Sequence, residues 1–209
     1  MFARTERLLL RPGWQEDAPA LAAAIGEEAI VRNLASAPWP YGEADAEAFL
    51  AGWADGGAGR FLPGRFLMVR RTASAPRLVG CIGIDPMENG EVELGYWVAR
   101  PYWGLGYATE AGRHMIDLAR TMGIPRLVAS HFADNPASGA VLRKLGFRPT
   151  GKRPVRKSLG RGTAAPTIEY AREVAAPGDG GEDGDAPVAM LGTRRWPDAL
   201  REDWRSLAA

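Results

Sequence analysis

Gly104 and Gly106 stand one residue apart between a strand-like stretch and a helix-like one, and such a backbone can close on a phosphate. Behind them Ala108, Ala111, Met115, Leu118, Ala119 and Met122 recur at helical spacing, Gly123 stands where a C-terminal cap would, and Pro125 follows. The turn therefore opens a helix, where unpaired N–H groups and the positive end of the dipole favour a phosphate or pyrophosphate. The same turn also fits a tight strand-to-helix connection with no ligand. It is a poor match to the dinucleotide fingerprint, which places three glycines after an early strand. Ahead of the turn, Glu91, Glu93, Gly95 and Trp97 alternate with Val92, Leu94, Tyr96 and Val98. This period of two predicts a strand with one polar and one apolar face, with both carboxylates on the face that bears Trp97.

The elements that position these residues can be followed along the chain. Residues 7–11 read as a first strand ended by Pro12 and Gly13. An alanine-rich helix follows over about 15–25, with a second piece near 27–34. Pro38 and Pro40 force a loop through 37–41 that carries Trp39 and Tyr41, which fit either an exposed acceptor site or ordinary caps over the core. A helix is expected over about 43–53 and a flexible turn at 56–59. Strands over 65–70 and 77–84 join the 91–98 strand in an antiparallel meander. After the helix of 108–122 comes a short strand over 126–132. Asn135 then supplies an N-cap and Pro136 a first-turn proline, with Ala137, Val141, Leu142 and Leu145 as the expected buried stripe and Gly146 as the stop. Arg143 and Lys144 suit the end of that helix without any ligand. Beyond Phe147 the chain turns basic and glycine-broken, and 167–172 reads as a strand closing the sheet.

At 209 residues the chain holds one domain with a full core plus a tail. Hydrophobic residues at 46% and charged residues at 24% are ordinary for a globular protein. A formal net charge of +1 gives no global attraction to nucleic acid or to an anionic membrane. Cys81 is the sole cysteine, which rules out an internal disulfide, and its apolar neighbours point to a buried, inert thiol. His114 and His131 lie in different elements without ligand spacing, so no metal site is expected. The longest apolar run near the N-terminus, residues 8–10, is too short for a signal core or a membrane span, and a cytoplasmic location is expected. Residues 175–187 are acidic, glycine-rich and without apolar periodicity, which predicts a mobile linker. An edge strand and a short helix are expected within 188–209.

A second stretch, residues 131–147, sharpens this reading. Together, Glu93-Leu-Gly-Tyr-Trp97, Tyr102-Trp-Gly-Leu-Gly-Tyr-Ala-Thr-Glu-Ala111, and Asn135 with Ser138 ahead of Leu142-Arg-Lys-Leu-Gly-Phe147 resemble the Gcn5-related N-acetyltransferase (GNAT) superfamily. Within it, the resemblance is to the branch that acetylates N-terminal amines of ribosomal proteins (RimJ/RimL-like), over roughly residues 5–172. It implies a mixed α/β domain over 1–174, with a mostly antiparallel, splayed sheet flanked by helices. It also implies acetyl coenzyme A as co-substrate and transfer of the acetyl group to a primary amine by direct attack in a ternary complex. The expected acceptor is a protein N-terminus. A small-molecule or antibiotic amine, or a coenzyme-A-binding module without turnover, remain alternatives, and a homodimer is left open.

By the same resemblance, the backbone of Trp97 and Val98 meets the pantetheine arm, which pairs with a strand edge much as another strand would. The N–H groups across Trp103, Gly104, Leu105, Gly106, Tyr107 and Ala108 bind the pyrophosphate, and Asn135 binds a pantetheine amide. Pro101 stands where the family usually has Arg or Gln, with Arg100 displaced by one. Amine acylation needs a proton acceptor for the ammonium and a proton for the leaving thiolate. Glu93 is the candidate base, and its plainer reading is an exposed strand carboxylate. Many relatives place a tyrosine acid where this chain has Leu142, and the ribosomal branch suggests Ser138 instead. Trp39 and Tyr41 would border the acceptor pocket.

Overall fold

The computed structural model describes residues 2–54, 64–72 and 75–174. The turn expected at 56–59, the linker at 175–187 and the elements expected in 188–209 lie outside the described residues. In chain order the elements are β1 (Ala3–Arg4), β2 (Leu8–Arg11), α1 (Ala18–Ile25), α2 (Glu28–Val31), α3 (Glu43–Ala54), β3 (Arg65–Arg70), β4 (Arg77–Pro86) and β5 (Val92–Val98). They continue with α4 (Tyr107–Thr121), β6 (Arg126–Phe132), α5 (Pro136–Lys144), β7 (Arg148–Pro149), β8 (Val155–Ser158) and β9 (Thr163–Glu173).

The strands form a sheet in the order β1-β2-β3-β4-β5-β6-β9-β7, with β8 attached to β9. Every pairing is antiparallel except that of β5 with β6. The expected meander is therefore β3, β4 and β5. Alternation along its strands feeds two cores. Leu8, Leu10, Phe66, Ile82, Val92 and Leu94 pack beneath α4 and α5, whereas Leu67, Val69, Cys81 and Trp97 pack with Leu21, Ile25 and Leu50 of α1 and α3. Both faces of the sheet are thus covered. That corrects the reading of β5 as a strand with a polar face: Trp97 shares its side with Glu93 yet is 9% exposed.

The β5 to β6 pairing is the exception that shapes the molecule. Its register is confined to Glu93 opposite Val128, while β6 is fully paired with β9 on its other edge from Arg126 to Phe132. Beyond Glu93, the C-terminal halves of β5 and β6 carry no pairing with one another. The sheet opens there, beside the turn that leads into α4. Helix α5 has the expected N-cap, Asn135, whose side-chain oxygen accepts from the Ser138 N–H at 3.4 Å. Its buried side differs from expectation. Ala137 is exposed, and Gly139 is buried instead. A Cβ at Gly139 would lie 2.6 Å from Nε2 of His131, so glycine allows α5 to approach β6.

Candidate active site

The glycine turn has the geometry its composition predicts. Gly104 and Gly106 have φ of 75° and 83°, in the left-handed region, and Gly106 is the N-cap of α4. An ion-pair latch holds the turn from the side. Glu110, in the first turn of α4, accepts from the Thr5 hydroxyl at 2.5 Å, the Arg7 N–H at 2.8 Å and Arg7 Nε at 2.7 Å. Burial pulls the Glu110 carboxyl upward, but these donors outweigh it and hold the group below its ordinary value. Arg7 also donates to the Leu105 carbonyl at 2.9 Å and lies over the Tyr107 ring. Glu6, Arg7, Gly106, Thr109, Glu110, Arg113 and Lys144 line a shallow pocket at this helix end. Three cations there exceed two carboxylates, one of them Glu110 already paired with Arg7, beside backbone N–H groups suited to an anion. Arg7 and Arg113 were not anticipated, because they come from β2's leading turn and the outer face of α4. Trp103, 47% exposed, donates its indole N–H to the Val98 carbonyl at 2.5 Å and so reaches back over the end of β5.

Gly106→Val follows directly as a test of this turn. A branched side chain at this left-handed φ costs about 1–2 kcal/mol. Its Cβ would also come into van der Waals contact with Arg7 Nη2 at 3.5 Å, placing apolar bulk in the anion pocket. Calorimetry on the folded variant should show coenzyme A affinity lowered several-fold or more, and an unchanged affinity would take the coenzyme away from this turn.

The two faces of β5 carry two different sets of polar groups. On the α4 and α5 side, the Tyr96 hydroxyl lies 2.8 Å from Ser138 Oγ and donates to the Ser138 carbonyl at 3.1 Å. This contact spans the opening between β5 and α5. Burial, partly offset by Ser138, pushes the Tyr96 phenol up to about 12, so it stays protonated near neutral pH. Sequence reasoning placed Ser138 but not its partner, since Tyr96 was read only as part of the strand's apolar face.

On the opposite side, the registered pairs Cys81–Trp97, Gly83–Gly95 and Asp85–Glu93 form a row across β4 and β5. Gly95 is exposed, and a Cβ built there meets nothing within 4 Å. Open space thus lies between buried Trp97 and half-buried Glu93. Glu93 accepts from Nη1 of Arg156 at 2.7 and 3.0 Å, and Asp85 accepts from Arg65 Nε at 2.8 Å. Burial raises the Glu93 carboxyl above its ordinary value, with Arg156 opposing the shift. Ser130 on β6 also favours the carboxylate, although its buried hydroxyl falls outside hydrogen-bond geometry. Burial raises Asp85 too, against Arg65. Glu93 is therefore a paired, desolvated carboxylate rather than an exposed one.

Arg156 belongs to the β8–β9 hairpin, which folds back towards α2. Ser158 donates to the Leu34 carbonyl at 2.7 Å, the Leu159 N–H donates to Ala35 at 2.9 Å, and Arg161 pairs with Asp134 at 2.7 Å. The hairpin and the loop after α2 thus wall this side of the sheet. Trp39 and Tyr41, in the same loop, differ from one another. Trp39 is 43% exposed, whereas Tyr41 packs against the α1/α3 core, its phenol pushed up to about 12 by burial and by Asp45. Cys81 is buried, and burial raises its thiol to about 12, an inert state. Among the described residues no group of three or more His, Cys, Asp or Glu is placed to hold a metal, and no helix is long and apolar enough to cross a membrane.

This architecture recurs in solved structures. A GNAT-family acetyltransferase from Bacillus anthracis superposes with a TM-score of 0.67 at 22% identity, covering 83% of this chain and 98% of the other. RimL, a ribosomal-protein alpha-N-acetyltransferase in complex with coenzyme A, gives 0.64 at 22% identity, covering 83% and 98%. The fold is that of an acetyltransferase. A protein of Bacillus licheniformis described as uncharacterized N-acetyltransferase p20 is 31% identical over 163 residues, 75% of this chain and 88% of the relative. The family model "Acetyltransferase (GNAT) domain" matches residues 7–148, more than half of the sequence. The chain belongs to the GNAT family of acetyl-CoA-dependent N-acetyltransferases, with RimJ/RimL-like relatives. The turn and the sheet opening fit its co-substrate: a left-handed glycine pair at the start of α4 suits a pyrophosphate, and a free strand edge suits pantetheine.

Proposed function

We propose that the chain acetylates the α-amine of a polypeptide, of the ribosomal-protein type, by direct attack in a ternary complex. The reading rests on one observation above the rest: β5 presents Glu93 beside the open position at Gly95 on one face and Tyr96 with Ser138 on the other. Acetyl coenzyme A, when bound, supplies a thioester and, after transfer, a thiolate. Backbone groups of Trp97 and Val98 hold its pantetheine arm, the N–H groups from Trp103 to Ala108 hold its pyrophosphate, and Asn135 meets a pantetheine amide. Glu93 takes the ammonium proton, directly or through water, and Ser138 gives a proton to the thiolate. Tyr96 keeps the Ser138 hydroxyl oriented for that task. Trp39 and Tyr41 border the acceptor on the α2 side. The likeness to RimL favours a protein N-terminus as acceptor. The catalytic domain is assigned to 1–174, within which the Val174 N–H donates to the Pro125 carbonyl at 2.8 Å.

Incubation with acetyl coenzyme A and a panel of peptides and small amines, following free thiol, tests the reading. Acetylation of peptide α-amines with no turnover of small amines is the expected result, and the reverse pattern would overturn the polypeptide acceptor. In the same assay Ser138→Ala should lower turnover modestly, because water can protonate a thiolate with a pKa of about 8.5. Tyr96→Phe should reproduce much of the Ser138→Ala loss, and the double variant should lose little more than either alone. Additive losses would separate Tyr96 from Ser138.

A further inference from the structure

Arg156 engages Glu93 in an unusual way for a guanidinium. Nη1 alone donates to both carboxylate oxygens, and Nε and Nη2 have no hydrogen-bond partner among the described residues. A guanidinium presents a planar fork of donors matched to a carboxylate, so its better binding edge is left unused. The residue is not free at the surface: the Arg156 and Glu93 side chains are 28% and 24% exposed. The ion pair Arg65–Asp85 stands beside it in the same registered row. The Glu93–Arg156 pair, whose formal charges cancel, therefore borders the open position at Gly95, with Arg65–Asp85 as its registered neighbour.

That balance constrains what can enter. A lone ammonium would bring uncompensated charge into a desolvated site and would compete with Arg156 for Glu93. An amine that also carries a carboxylate brings no net charge, since its ammonium meets Glu93 and its carboxylate meets the unused edge of Arg156. Neutralising Arg156 would in turn release its hold on Glu93, the group proposed to receive the proton. We propose that the acceptor is an amine bearing a carboxylate close to the reacting nitrogen, with Arg156 as the residue that reads the carboxylate. This rests on the acetyltransferase reading of the same opening and narrows it. Two sources share that chemistry, a polypeptide opening on an acidic residue and a free amino acid.

The test compares matched acceptors with the full chain and acetyl coenzyme A: Asp-Ala-amide against Asn-Ala-amide, and free β-alanine against β-alanine amide. The carboxylate-bearing member should be favoured by about tenfold or more in kcat/KM, chiefly through KM. A preference within the first pair assigns the site to polypeptide termini, and one within the second pair alone assigns it to free amino acids and overturns the polypeptide acceptor proposed above. Arg156→Gln should erase the preference while coenzyme A affinity persists, and Arg156→Lys should keep part of it. Calorimetric titration of Asp-Ala-amide and of β-alanine into the coenzyme A complex, for the parent and for Arg156→Gln, supplies a readout independent of turnover and shows that the variant is folded. Equal use of both members of each pair overturns the proposal and leaves the acetyltransferase reading intact. A preference that survives Arg156→Gln also overturns it. Failure of every acceptor to be acetylated, with no binding of the carboxylate members, overturns both readings.

Discussion

Replacing Glu93 by Gln is expected to lower turnover about 10²-fold or more at neutral pH while leaving coenzyme A affinity near that of the parent. The amide keeps the shape of the side chain but cannot take a proton, and a polypeptide α-ammonium, with a pKa of about 7.7–8.0, is still mostly charged at pH 7. The pH dependence separates this loss from a packing effect. A base acts only when ionised, and burial lifts the Glu93 carboxyl above the ordinary carboxylate range despite Arg156. The parent's rate should therefore fall as the pH drops through that raised value, earlier than an ordinary glutamate would allow. Glu93→Gln should lack this acid limb. Raising the pH should narrow the gap, because more of the acceptor arrives already neutral. Equal pH profiles for parent and variant would remove Glu93 as the base.

Gly80→Ala is expected to cause the largest loss of stability. A Cβ at Gly80 would lie 2.2 Å from the Trp97 carbonyl oxygen, 2.7 Å from Met68 Cε and 3.0 Å from Val98 Cα. Two of these are backbone atoms of β5, so relief requires the strand itself to shift. Overpacking of this kind costs about 1–3 kcal/mol, and a backbone obstacle belongs at the upper end. Gly80 pairs with Val98, at the end of β5 that borders the opening, and the β3 to β4 register shifts beside it at Met68 and Val69. Thermal unfolding should show a fall of several degrees in Tm. Coenzyme A binding should weaken as well, since Val98 moves with the strand. A variant with the parent's Tm would mean that β4 and β5 are held apart at this point.

The parts legible in the sequence were those written in local spacing. The alternation of 91–98, the glycine pair at 104 and 106, and the Asn135–Pro136 helix start each lie within a few residues of chain, and the corresponding β5, α4 and α5 are all present. What local spacing cannot carry is partnership across the fold. Glu93 and Arg156 are 63 positions apart, and Tyr96 and Ser138 are 42 apart. Of the hairpin that delivers Arg156, the closing strand was read over 167–172, but β8 itself was read only as a basic, glycine-broken stretch. Trp97 was placed on a polar face because alternation distinguishes the two sides of a strand but does not say whether helices cover both. Ala137 was drawn into the buried stripe by its apolar type, while Gly139, with no side chain to signal burial, takes the place against His131.

The two faces of β5 also bear on how such a protein changes over generations. The proposed coenzyme half is built from the turn at 100–106, α4 and α5, and the proposed acceptor half from the loop after α2 and the β8–β9 hairpin. They share one strand of seven residues, Val92–Val98. Substitutions in the hairpin or the α2 loop can therefore redirect which amine is accepted without touching the machinery that holds the acetyl donor. Inherited variation should be tolerated unequally, with the donor half held nearly constant and the acceptor half free to diverge, so that one carrier chemistry serves many recipients.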